Sequence, residues 1–136
     1  MFSGLGHWVR LRRSLYREAQ KAKERPYDVL LAQHRHLKAH PNCSACGGGA
    51  HVQAHHILPY HLHPDLGTAP SNMMTLCMGA FECHLRLGHG SNFRGWNPNV
   101  VLDVNSARSS LSLGLLKYRM VRSEIDDRAR AACMLK

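Results

Sequence analysis

The sequence predicts an α+β fold, in which a small metal-bound centre of two short strands and a helix carries helices on both sides. Three observations predict it. Apolar residues recur at helical spacing near both ends, the middle mixes cysteine and histidine with turn residues, and basic charge falls almost wholly outside that middle. A length of 136 residues suits one domain with one modest core. Its parts are a basic helical flank over 1–40, a metal-bound centre over 41–100 and a second helical flank over 101–136.

Trp8, Leu11, Leu15, Ala19 and Ala22 mark one face of a first helix, with Arg13, Arg17 and Lys21 as a separate row. Pro26 stops that helix and opens the next, through about Leu37, before a break at His40-Pro41-Asn42. Gly47-Gly48-Gly49 is a turn, and His51 to Leu58 reads as a short strand. Pro59 to Pro70 is a loop, Met73 to Leu76 a returning strand, and Cys83 to Leu87 a short helix. The stretch from Gly90 to Asn99 is irregular. A last helix is expected from about Ser106 to Ala132, with Leu111, Leu115, Tyr118, Ile125 and Ala129 facing inward and a kink at Gly114.

Eighteen Lys+Arg against nine Asp+Glu give a formal charge of +9, a surplus that attracts polyanions. Nine basic residues precede Pro41, eight follow Gly90, and only Arg86 lies between. Such a distribution suits grip outside and chemistry inside. Counterion release at each phosphate contact makes such a grip salt-sensitive and largely sequence-blind. Candidate phosphate contacts are Arg10, Arg13, Arg17 and Lys21 on the first helix, Lys117, Arg119 and Arg122 on the last, and Arg86 in the centre. No apolar run approaches the ~20 residues of a membrane span, and arginines stand where a signal peptide is apolar. The sequence reads as soluble and cytoplasmic, with no membrane partner.

Five cysteines cannot all pair as disulfides. Cys43-Ser44-Ala45-Cys46 is a knuckle whose two-residue gap lets both thiolates reach one ion, and Cys77 and Cys83 form a second pair. Four thiolates with no open position make a structural Zn²⁺ site. The second pair is irregular, with Met78 to Glu82 between its cysteines, which leaves His51 as a substitute ligand. Cys133 stands apart as a spare thiol.

His55 and His56 are adjacent on a strand, so they face opposite sides and need different tasks. One can bind a cation while the other points to a substrate phosphate. Asn72 precedes the returning strand and His84 opens the short helix. Two strands and a helix closing over one ion bring His55, His56, Asn72 and His84 together. Histidine titrates near neutrality, so it can take a proton from an attacking water.

The run HHILP, then SNMMTLC, then ECH resembles the HNH endonuclease family, whose site is a ββα-metal motif. The upstream CxxC and the later cysteines resemble its zinc-bound subset, and the stretch through NPNV looks like small HNH proteins carried by phages and bacteria. The resemblance covers about Cys43 to Val100. It implies that His55 and His84 are ligands of a catalytic divalent ion, that His56 is the general base, and that Asn72 ties down the loop and orients His56. His89 is left as a third ligand or a phosphate contact, and the insertion between Cys77 and Cys83 leaves the choice between His84 and His89 open. Nitrogen ligands suit Mn²⁺, Ni²⁺ and Co²⁺ more readily than Mg²⁺, so a tolerant requirement is expected, with Mg²⁺ or Mn²⁺ used in the cell.

The reading that follows is a divalent-metal-dependent DNA endonuclease or nickase. One rival is a zinc-bound nucleic-acid-binding module whose histidines are structural. Another sets the basic flanks against an acidic protein partner, as in a phage packaging complex.

Overall fold

A computed structural model describes residues 26–135. The expected first helix, with Arg10, Arg13, Arg17 and Lys21, lies outside the described residues.

Helix α1 spans Tyr27–Ala39. Pro26 supplies a φ of −58° and lacks the N–H that a first turn leaves unbonded, while Asp28 places negative charge at the positive end of the helix. Val29 and Leu30 are its buried residues. They face a two-stranded antiparallel hairpin of β1 (Val52–His56) and β2 (Met73–Cys77). The register pairs Val52 with Cys77, Ala54 with Thr75 and His56 with Met73. A hairpin alone is marginal in water, and side-chain hydrogen bonds tie this one to α1 and to the residue after it. Gln33 Nε2 donates to the Ala54 carbonyl at 3.2 Å, and Thr75 Oγ1 donates to the His40 carbonyl at 2.6 Å.

The expected short helix after Cys83 is a π-helical turn, His84–Gly88. Irregular chain then leads to a two-residue strand β3 (Gly95–Trp96), helix α2 (Val100–Ser110), a 3₁₀ turn (Leu111–Leu113), helix α3 (Leu115–Ala132) and strand β4 (Met134–Leu135). β3 and β4 pair antiparallel, a strand pair the sequence gives no hint of.

The single helix expected over 106–132 is thus two helices. Gly114 adopts φ +101°, which is strained for any residue with a side chain, so the chain breaks there instead of kinking. Tyr118, Ile125 and Ala129 are buried as expected, but Leu115 is 61% exposed and Leu111 only half-buried. The break rotates the first turn of α3 away from the core.

One apolar cluster links the parts: Leu76, Leu87, Val100, Val104, Ala107, Tyr118 and Ile125 pack with Cys43, Cys77 and Cys83. The hairpin, the π turn and both C-terminal helices therefore share a core. Among the described residues, no helix is long and apolar enough to cross a membrane.

Candidate metal centres

The loop after α1 and the end of β2 bring four thiols together. The sulfurs of Cys43, Cys46, Cys77 and Cys83 all lie within 4.8 Å of one another, and Cys46 and Cys77 are 3.6 Å apart. Four thiolates bound to one tetrahedral ion at about 2.3 Å stand about 3.8 Å from each other, so the spacing fits a metal. Backbone geometry sets it. The Cys43 N–H donates to the Gly48 carbonyl at 2.7 Å, and the Gly47 N–H to the Cys43 carbonyl at 2.9 Å, folding the knuckle on itself. The Ser44 N–H donates to the Thr75 carbonyl at 2.8 Å, which ties the knuckle to β2.

The hydrogen bond from Cys46, then those from Cys77 and Cys83, pull the Cys43 thiol far below its ordinary range. The contact with Cys43 pushes the thiols of Cys46 and Cys83 far up. Four crowded sulfurs cannot all ionise unless a cation balances them. Polar groups already aim at the sulfurs. The Gly48 N–H donates to Cys46 Sγ at 3.4 Å, and the Tyr118 hydroxyl lies 2.9 Å from Cys83 Sγ. Burial, reinforced by that sulfur, pushes the Tyr118 hydroxyl far above its usual range.

The Met78–Glu82 insertion turns outward and is captured by α3. Phe81 meets the Tyr118 ring edge-on at 5.1 Å, the Arg119 guanidinium lies 5.4 Å from its ring centre, and Arg122 Nη1 donates to its carbonyl. His51 lies outside the thiol cluster, with its carbonyl accepting the Met78 N–H at 2.6 Å.

A second cluster forms where β1 meets the π turn. The ring nitrogens of His55, His84 and His89 lie within 4.8 Å of one another, and all three residues are buried. His84 Nδ1 is 3.0 Å from Gln53 Oε1, and His89 Nδ1 is 2.8 Å from the Gly95 carbonyl. Both oxygens accept, so each Nδ1 carries the proton and each Nε2 presents a lone pair. Those two Nε2 atoms face each other at 3.1 Å. Two imidazoles bound side by side to one ion at about 2.1 Å have nitrogens about 3.0–3.4 Å apart. The cluster can hold a metal ion.

The π turn makes this geometry. In an α-helix, residues five apart point about 140° away from each other, so His84 and His89 would diverge. The wider turn, with Leu85 O accepting from both His89 N (3.2 Å) and Ser91 N (2.9 Å), aims both at His55. Gly88 leaves room for the approach. A Cβ there would sit 3.0 Å from His55 Cε1, 3.1 Å from its Nδ1 and 3.2 Å from His84 Cδ2. Gly88→Ala is therefore expected to weaken divalent-ion binding at this cluster about tenfold, in line with disturbances of groups behind a ligand. Titration calorimetry with Mn²⁺ checks it, and equal affinity would show that the close packing is not needed.

His56 occupies a different position from His55, as adjacent strand residues must. Its Nε2 donates to the Gly67 carbonyl at 2.9 Å, and its ring centre lies 6.4 Å from that of Tyr60. That bond fixes the tautomer, leaving the lone pair on Nδ1. Asn72 staples the same loop. Its Oδ1 accepts from the Leu58 N–H at 2.8 Å, and its Nδ2 donates to the carbonyls of Leu58 at 3.0 Å and Leu66 at 3.4 Å. Its bonds go to main chain, so it positions the loop that carries Gly67 and reaches His56 through that loop.

Several sequence candidates have internal work. Arg86 pairs with Glu82 and with buried Asp126, both at 3.2 Å, so its guanidinium joins the π turn to α3 instead of reaching outward. Arg119 and Arg122 hold Phe81, as above, while Lys117 is exposed. Phe93 is 46% exposed yet meets the His89 ring at a tilt at 5.0 Å and the His84 ring edge-on at 5.9 Å, at one side of the histidine cluster. Gln53, Gly67, Gly95 and Tyr118 escaped the sequence reading. Gln53 alone carried a signal, since it lies two residues before His55 and shares its strand face.

Comparisons with protein-family models, curated proteins and solved structures give no significant match to this chain. The geometry of the two clusters is the ground for a functional reading.

Proposed function

We propose that the protein is a divalent-ion-dependent DNA endonuclease or nickase of HNH type, with Zn²⁺ in the cysteine cluster as a structural ion. The observation that carries the reading is the buried His55, His84 and His89 cluster beside His56, a histidine whose tautomer is fixed by a main-chain carbonyl. Phosphodiester hydrolysis needs these two parts together. The three imidazoles would hold a divalent ion, which when bound would supply Lewis-acid relief of the charge that develops in hydrolysis. His56 Nδ1 takes the proton of a water as that water attacks phosphorus and the bond to the leaving sugar oxygen breaks. Asn72 holds the loop whose Gly67 carbonyl fixes the His56 ring.

Three nitrogen ligands favour Mn²⁺, Co²⁺, Ni²⁺ or Zn²⁺ over Mg²⁺, which prefers an oxygen shell. The formal charge of +9 supports a nucleic-acid substrate held through its phosphates. Lys117, Arg119 and the N-terminal Arg10, Arg13, Arg17 and Lys21 are the proposed grip, with Arg86 and Arg122 beside them also making contacts within the chain.

Supercoiled plasmid tests the proposal. Nicking is expected with Mn²⁺, Co²⁺ or Ni²⁺, weaker activity with Mg²⁺, and none with a chelator. Salt-sensitive DNA binding without nicking in any of these ions would leave a zinc-bound nucleic-acid-binding module as the better description.

A further inference from the structure

His89 is the ligand that stands just beyond the π turn, and a distant segment of the chain holds it. Two left-handed residues follow at once, Gly90 with φ +56° and Ser91 with φ +64°, so the chain swings away sharply after the ligand. Two contacts restrain His89 from that side. The Cys133 thiol donates to the His89 carbonyl at 3.1 Å, which fixes its main chain. The Gly95 carbonyl accepts from His89 Nδ1 at 2.8 Å, which fixes its ring. Gly95 is itself held in β3, opposite Leu135 of β4, while Trp96 lies opposite Met134.

We propose that residues 133–135 are a positioning strand for the histidine ion centre, holding the backbone of His89 through Cys133 and its ring through the pairing of β4 with β3. The inference rests on the cluster being an ion site, and it does not require that the site cut DNA. An S–H donor is weak and a two-residue ladder is short, so neither contact adds much to global stability. A ligand, however, loses affinity when the groups behind it shift, typically by about 10–100-fold.

The test compares the full chain with a chain ending at Ala132 and with the Cys133→Ala and Cys133→Ser variants, all carrying zinc in the cysteine site. Co²⁺ is titrated and followed by its visible absorption, in which imidazole ligation lacks the intense thiolate bands of the cysteine site. Truncation is expected to weaken Co²⁺ binding at the histidine site about tenfold or more, while zinc content and thermal midpoint stay close to those of the full chain. Cys133→Ala should lose a smaller part and Cys133→Ser recover it. In a His89→Ala background, truncation should cost nothing further, because the strand acts through His89. Equal Co²⁺ affinity with and without residues 133–136, or the same loss in the His89→Ala background, overturns the proposal. A full chain that binds no Co²⁺ at its histidines overturns the ion site and this inference together, whereas one that binds Co²⁺ but leaves plasmid intact overturns the nuclease reading alone.

Discussion

His56→Ala is expected to lower plasmid nicking by about 10²–10⁴-fold, the usual contribution of a general base. Zinc content, fold and affinity for DNA should be retained. The expectation follows from the division of labour along β1. His55 turns to His84 in the π turn and to His89 just beyond it, and His56 turns to the loop, where the Gly67 carbonyl accepts from its Nε2 at 2.9 Å. Removing the second ring leaves the first cluster in place, so a loss of rate with unchanged Mn²⁺ affinity is the specific signature. Nicking kinetics, DNA-binding anisotropy and thermal melting check the three parts. A His56→Ala protein that nicks at the original rate sinks the assignment of the base.

Cys46→Ser is expected to abolish stoichiometric zinc binding and with it the cooperative fold. Structural zinc sites in small peptides contribute apparent binding free energies of about 10–16 kcal/mol at neutral pH. The whole stability of a domain is about 5–15 kcal/mol, so losing even half of such a term is decisive. Cys46 is the informative position because it is only half-buried, which keeps the penalty of placing a hydroxyl in the core small. Cys133→Ser serves as the control, since its sulfur lies outside the thiol cluster. Zinc analysis and near-ultraviolet circular dichroism read the outcome. A folded, zinc-replete Cys46→Ser protein would remove the metal from its place as a structural tie.

The same two clusters show how far the residues alone could be read. The two-residue gap between Cys43 and Cys46 and the period-two alternation of β1 are local rules, and the structure agrees with both. The α+β mixture and both strands of the hairpin lie where the turn residues put them. The choice between His84 and His89 stayed open because of the insertion after Cys77, and the structure brings both to His55, since the turn that joins them is not α-helical. A π turn gives up α-helical spacing, and nothing in Leu85, Arg86, Leu87 and Gly88 announces it. Equally hidden were contacts made across long stretches of chain. Tyr118 reaches Cys83, Arg122 reaches the carbonyl of Phe81, and Arg86 reaches Asp126, each about forty residues away.

Asp126 gives those long contacts a practical meaning. Its Oδ1 accepts from Ser91 Oγ at 2.6 Å, and its Oδ2 takes Arg86 and Arg130, both at 3.2 Å, from a position almost wholly shielded from water. A fragment trimmed to the stretch that carries the seven clustered cysteines and histidines would keep those side chains and lose the clasp that ties α3 to Arg86 and Ser91. It would also strip Cys83 of its phenol. Anyone grafting this centre onto another scaffold, or dissecting it into minimal peptides, must therefore carry α3 along as part of the graft.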